Sequence, residues 1–289
     1  MLPRVESHYP AALETEHSRI ASAYMVMLNK TLAEHLPTIR RAMAIERAGK
    51  RQEVTQRIDD FDNYSELMVN VSDVIADTFT QIQVAFEERA LSFGLERRLA
   101  NIANQTRRLS IVEWRRIVRS SLGVNILEDY YMGEFFRDAL QQWITRNIGL
   151  IRSVPQTTLT EMRSIVEEGW RTGLTNREIS RNIQAAYGIS KRKAQFWARD
   201  QLAKLNANLT QQQQQDAGVQ EYIWSTSGDE RVRERHVELD GTRQSWANPP
   251  KVALNRNCHP GEDYRCRCVA LPVFNLPGLS LPWEKGTDG

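Results

Sequence analysis

The sequence predicts an α+β protein: a mainly α-helical N-terminal region followed by a small α+β C-terminal module with a short antiparallel sheet. Three observations predict it. Apolar residues recur at helical spacing from about residue 12 to about residue 210. After Gly218 the period shortens to two, with Tyr222 and Trp224 alternating with polar neighbours as on a half-buried strand. All three cysteines, Cys258, Cys266 and Cys268, and two of the five histidines, His236 and His259, fall in that last stretch.

Taken in order, Leu13, Ile20, Tyr24, Met27, Leu28 and Leu32 form the apolar side of a first helix. Pro37 is placed to open a second, running to about Ala48, because a helix tolerates proline in its first turn. The polar run Lys50 to Asp62 reads as a linker. Leu67, Val71, Val74, Ile75, Phe79, Ile82 and Phe86 make one stripe of about five turns, the pattern of helix-packing core. Gly94 interrupts, and helical character resumes at Leu95.

Ser110 and Glu113 have the spacing of a capping box, opening a helix with Trp114, Ile117, Val118 and Leu122 on its apolar side. Arg108, Arg115 and Arg119 share a face if that helix is continuous. They are candidate nucleic-acid contacts, set against the plainer reading of a solvated face. A helix from about Gly133 carries Phe136, Leu140, Trp143, Ile144, Ile148 and Ile151, and Pro155 is expected to stop it. That gives three parts: 1–155 helical and available for docking, 156–275 the distinctive module, and 276–289 a Pro/Gly-rich tail, mobile or docked on a partner.

Two more capping boxes, Thr158 with Glu161 and Thr175 with Glu178, open helices ending at Gly173 and Gly188. Ser190 caps a third, closed by Gly218, with Ala194, Trp197, Ala198, Leu202, Leu205 and Leu209 inward. The pair about Gly188 has the outline of a helix-turn-helix, with Lys191, Arg192 and Lys193 at the start of its second helix as further candidate nucleic-acid contacts. Any helical hairpin with a glycine turn has that outline. Beyond Gly218, Asp229 to Leu239 suits a short helix, Asp240-Gly241 a turn, and the run from Cys268 to Val273 a closing strand with Pro272 near an edge.

The totals set outer bounds. A chain of 289 residues, 41% apolar and 26% charged, can bury a sizeable core. A formal charge of +2 gives no overall argument for a polyanion or a membrane surface. No apolar run approaches the roughly 20 residues of a membrane span, and the N-terminus lacks an apolar signal core, so a cytoplasmic protein with no membrane partner is expected. Three cysteines in a reducing compartment are not a disulfide framework, and their crowding calls for a local reason.

His236, Cys258, Cys266 and Cys268 are the candidate metal ligands, with His259 as a substitute, since zinc takes four tetrahedral nitrogen or sulfur donors. On an extended chain Cys266 and Cys268 point the same way, which suits two ligands or two small buried side chains. The spacing C-x7-C-x-C is not a paired zinc knuckle, so a metal-free core with no cofactor is the leading expectation and zinc the alternative. In that core Asp229, Arg231, Arg233 and His236 would pair with Glu262, Asp263 and Arg267.

The run W-S-T-S-G-D-E-R-V-R-E-R-H from Trp224 to His236, then L-D-G from Leu239 to Gly241, then H-P-G-E-D-Y-R-C-R-C from His259 to Cys268 and a closing V-A-L-P-V resemble the phage Mu protein F family, the minor head or head morphogenesis proteins of tailed bacteriophages. The resemblance covers about Leu159 to Phe274. It implies a virion component of the capsid interior, near and associated with the portal, meeting other capsid or scaffold proteins, assembled in the host cytoplasm and acting in prohead assembly, DNA packaging or ejection. Contact with phage DNA would be non-specific. The resemblance implies no enzyme, and its pattern supplies His236, Cys266 and Cys268 without Cys258.

Two other classes compete. Ser225-Thr226-Ser227 after a strand, with Arg199 upstream, is similar to part of an ADP-ribosyltransferase site, and histidines among arginines suit a ribonuclease-like site. No Glu-x-Glu follows to complete the transferase. A DNA-binding regulator using residues 175–195 would need neither the cysteine module nor the long N-terminal helices.

Overall fold

The computed structural model describes residues 8–55 and 70–282. The fold is α+β. Helices α1 (Ala11–Thr55), α2 (Val71–Phe93), α3 (Leu95–Leu122), α4 (Glu134–Arg171) and α5 (Asn176–Asp216) come first. Strand β1 (Glu221–Ser225), the short helix α6 (Glu234–Leu239), and strands β2 (Arg243–Ser245), β3 (Lys251–Ala253), β4 (Arg256–Asn257) and β5 (Val269–Val273) follow. The sheet is antiparallel in the order β2-β1-β5, and β3 and β4 form a separate hairpin. In the register Trp224 lies opposite Ala270 and Tyr222 opposite Pro272. Pro272, which has no N–H to give to a ladder, thus stands on an edge strand as expected.

The helices are longer than the local signals predict. Pro37 opens no second helix: α1 runs through it, with Leu32, Leu36, Ile39 and Met43 buried on either side. Pro155 stops nothing either, and lies inside α4 between buried Ile151 and Val154 and buried Leu159 and Met162. An interior proline costs about 3 kcal/mol, and four buried apolar side chains at about 1.5–3 kcal/mol each exceed it. Gly188 likewise lies within α5, so residues 175–195 are no helix-turn-helix and Lys191, Arg192 and Lys193 sit mid-helix. A glycine there costs only about 1 kcal/mol against alanine.

Of the four proposed caps one stands. Thr175 N–H donates to the Glu178 carboxylate at 2.8 Å and Glu178 N–H to Thr175 Oγ1 at 3.3 Å. Thr158 instead donates to the Val154 carbonyl at 2.6 Å, Ser110 to Gln213 Oε1 at 3.0 Å, and Ser190 is interior to α5. The i, i+3 spacing occurs equally on the face of an uninterrupted helix. Gly94, with φ +65°, does end α2. In the expected linker, residues 50–55 belong to α1 and 56–62 lie outside the described residues, as does Leu67 of the α2 stripe.

The chain forms two compact units. One takes residues up to Arg19, then Glu96–Gly149, then everything from Phe196; the other takes Ile20–Leu95 and Leu150–Gln195. A division at residue 155 coincides with neither. In the second unit Tyr24 meets Phe86 and Phe93 edge-on, Arg89 bridges Thr31 and Glu34, and Trp170 donates to Glu46 at 2.6 Å. Two core clusters among the described residues of the first unit bear on the site. One joins Ile111, Trp114, Ile117 and Val118 of α3 to Ile126, Tyr131, Phe136, Ala217 and Val219. Leu279 and Leu281 pack on it and Leu127 N–H donates to the Pro282 carbonyl at 2.7 Å, so the tail as far as Pro282 docks on its own unit. The other, around Tyr222, Trp224, Trp246 and the cysteines, holds the candidate site.

Candidate metal centre

Local folding brings His236 to the cysteines from one side. The Asp240-Gly241 turn, with Gly241 at φ +73°, folds the chain back so that Trp224 exchanges backbone hydrogen bonds with Gly241 and Thr242 at 2.8 and 2.9 Å. This seats α6 against β1, with the His236 ring edge-on to Trp224 at 5.3 Å. From the other side, Cys266 N–H donates to the Asp263 carbonyl at 3.1 Å, and Arg265 N–H donates to Asp200 Oδ1 at 2.9 Å, tying the turn to α5. Cys266 and Cys268 then flank Arg267, just before β5.

The result is a buried triad. One ligand atom each from His236, Cys266 and Cys268 lies within 4.8 Å of the others. His236 Nδ1 is 3.5 Å from both sulfurs. The three residues are 1%, 3% and 5% exposed. The far nitrogen, Nε2, faces Asp263 Oδ2 at 3.4 Å. Asp263 also pairs with Arg233 at 3.4 Å and with Arg256. Burial alone would raise its pKa, but the Tyr264 amide and Arg256 hold it below the ordinary range. Within the cysteine pair, a hydrogen bond from Cys268 lowers the Cys266 thiol and the same bond raises Cys268, so Cys266 is the more readily ionised of the two. Gly261 N–H donates to Cys266 Sγ at 3.4 Å.

A cavity of about 230 Å³ opens against the triad. Arginines dominate its wall: Arg199, Arg231, Arg233, Arg265 and Arg267, against the carboxylates Glu14 and Asp229. Glu14 is 4% exposed and accepts two hydrogen bonds from Arg267 at 2.9 and 2.8 Å, which raise the guanidinium pKa. Such a site offers two soft sulfur donors and an imidazole to a cation, and positive charge to an anion beside it.

The four sequence candidates separate. His236, Cys266 and Cys268 converge; Cys258 is buried in the same core but outside the triad, its thiol pushed up to about 12 by burial and by Asp263. His259 is engaged elsewhere, with Nδ1 2.8 Å from the Tyr222 hydroxyl. Of the expected network, His236–Asp263, Arg233–Asp263 and Arg267–Asp229 form, whereas Arg231 pairs with Asp229 at 2.8 Å and Glu262 accepts from the His259 N–H at 2.6 Å. Arg108 and Arg119 are exposed on the continuous α3, whereas Arg115 pairs with Glu128 at 2.9 Å. Lys191, Arg192 and Lys193 belong to the other unit. Arg199 and Ser227 reach the cavity wall, and Thr226 N–H donates to Asp240 at 2.8 Å.

Sequence reasoning missed Glu14, Asp200, Arg256 and Gln214. Gln214 is fully buried, donates to the Ala270 carbonyl at 2.8 Å and accepts from Trp246 at 3.2 Å, anchoring β5 to α5. A run of glutamines carries no sign of this. Glu14 had a faint one, an acid at a helical position next to apolar Leu13.

These are the residues that the sequence motifs enclose, and comparison with known proteins assigns the region. Residues 160–271 match the family model described as Phage Mu protein F like protein. The Mu F-like region begins within α4, ends within β5 and contains the whole triad. An uncharacterized protein of Haemophilus influenzae is 40% identical over 129 residues, 45% of this chain. The chain spans 28% of that relative's length. No solved structure matches. Among the described residues no helix is long and apolar enough to cross a membrane.

Proposed function

We propose that the protein is a non-enzymatic minor component of a tailed-phage head, acting in head morphogenesis. The observation that carries this reading is the Mu F-like match over residues 160–271, whose motifs fold together into the sheet, α6 and the triad. Minor head proteins work by docking, and the long helices supply surface for it. In this reading the protein lies inside the virion near the portal, associates with the portal and with capsid or scaffold proteins, and acts in prohead assembly, DNA packaging or ejection. Contact with phage DNA is non-specific and made by exposed arginines such as Arg108 and Arg119 on α3.

Deleting the reading frame from the phage or prophage tests it. The expected outcome is heads that are misassembled, empty or non-infectious by electron microscopy, together with recovery of the protein in purified wild-type virions and its capture by tagged portal protein. Normal titres and filled heads from the deletion, with the protein absent from virions, would sink the proposal.

A further inference from the structure

We propose that His236, Cys266 and Cys268 bind one zinc ion, through Nδ1 and the two Sγ atoms, with the fourth position open to the arginine-lined cavity and filled by water or a small oxyanion. The inference stands apart from the head-assembly reading and rests on the triad's geometry.

Distances come first. Zn–S bonds of about 2.3 Å and a Zn–N bond of about 2.0–2.1 Å, at tetrahedral angles, put sulfur and nitrogen about 3.6 Å apart. Both sulfurs stand 3.5 Å from His236 Nδ1, and all three donors lie within 4.8 Å of one another. A metal-free arrangement explains this less well. The Asp263 carboxylate, 3.4 Å from Nε2 and short of a hydrogen bond to it, is the acceptor that nitrogen faces; it favours the ring hydrogen there and turns the Nδ1 lone pair to the sulfurs. Without a metal, Cys268 is left to donate to Cys266 and Cys266 to Nδ1, weak S–H hydrogen bonds that do not account for the equal approach of both sulfurs to one nitrogen, whereas one cation does.

The surroundings match what metal ligands require. A ligating histidine turns its other nitrogen to a carboxylate, which fixes ring and tautomer; Asp263 does this and is itself held by Arg233 and Arg256. The Gly261 N–H reaches Cys266 Sγ at 3.4 Å, a contact suited to a metal-bound thiolate. Gly261 has φ +85°, and a Cβ there would come within 2.7 Å of Ala207 Cβ, so the loop that delivers this N–H is built for glycine. Soft sulfur with imidazole selects zinc over magnesium or calcium.

The open position follows from what else is near. Among the described residues no other histidine, cysteine or carboxylate joins the triad, and the cavity has the triad in its wall. Three protein ligands with an accessible fourth position differ from the closed four-ligand pattern of purely structural zinc. The surrounding arginines suit an anion as that fourth ligand.

The test uses the full chain, purified under reducing conditions without chelator. Elemental analysis should give about one zinc per chain. Cobalt(II) exchanged into the protein should show tetrahedral d–d bands with sulfur-to-cobalt charge transfer, and inorganic phosphate or azide should shift the d–d bands. Cys258→Ser should retain full zinc; Cys266→Ser and His236→Gln should lose at least tenfold. Because those variants risk unfolding, the native stoichiometry and cobalt spectrum decide the matter alone. Metal-free protein without a cobalt spectrum, or a Cys266–Cys268 disulfide in it, overturns the site. A d–d spectrum indifferent to both anions overturns the open position, and folded Cys258→Ser without zinc overturns the ligand set.

Discussion

Single residues carry the sharpest consequences of burial. His17 is fully buried beside Trp143, ring centroids 5.3 Å apart, and burial pushes its pKa down to about 4 from 6.5. The unfolded chain therefore takes up the proton first as pH falls. Stability is unaffected above pH 6.5, declines between 6.5 and 4, and levels off below, with a loss of up to about 3 kcal/mol at 1.4 kcal/mol per unit. Urea midpoints measured from pH 7 to 4 should fall more steeply in the wild type than in His17→Leu; equal slopes would remove His17 from the account. Gly218 is constrained in another way. It ends α5 at φ +78°, and a Cβ there would meet the Gly278 carbonyl oxygen at 2.2 Å. Gly218→Ala should cost about 2–3 kcal/mol. In a chain ending at Asn275 only the backbone strain remains, and the cost should drop to about 1 kcal/mol. An equal cost in both backgrounds would show that the tail does not press on this glycine.

Among the elements, α5 begins at a reciprocal cap and α3 presents charge. Thr175→Ala removes the Thr175–Glu178 exchange and should destabilise by about 1 kcal/mol in denaturant unfolding. Thr158→Ala, where the same spacing forms no cap, should show no such cap loss, and a large cap-like loss there would contradict the continuity of α4. The arginine face of α3 is expected to bind duplex DNA weakly and without sequence preference. Neutralising two or three phosphates gives a log–log salt slope of about −2 to −3. Arg108→Ala with Arg119→Ala should flatten the slope by about two; a sharp preference for one duplex at physiological salt would contradict the non-specific assignment.

For the whole molecule, the decisive fact is that one compact unit is assembled from three separated stretches of chain. Residues 156–275 contain the triad but not Glu14, Ile111, Trp114 or Val118. In the isolated fragment Arg267 would lose its carboxylate partner, and Ala217, Val219 and Phe274 would lose the α3 side of their core. That fragment should unfold at markedly lower urea than the full chain, or without cooperativity. Matching midpoints by circular dichroism would instead show that the module is self-sufficient.

Much was settled by the sequence alone. The change of period after Gly218 separates helices from sheet, because side chains alternate every 3.6 residues in one and every two in the other. The Gly94 stop, the Thr175 cap, the Asp240-Gly241 turn and the edge position of Pro272 are local chemistry and were legible as such. The convergence of His236, Cys266 and Cys268 was legible from the resemblance to Mu F-like proteins, whose motifs in this chain enclose all three residues. Tertiary structure alone decided whether helices pass through Pro37, Pro155 and Gly188, since each local penalty of about 1–3 kcal/mol is set against burial that only packing supplies. It alone placed Glu14 on Arg267, 253 residues away, and Asp263 behind His236, and it left Cys258 outside the triad. No spacing rule reaches across such separations, because the distance is set by how helices and strands pack and not by the chain between them.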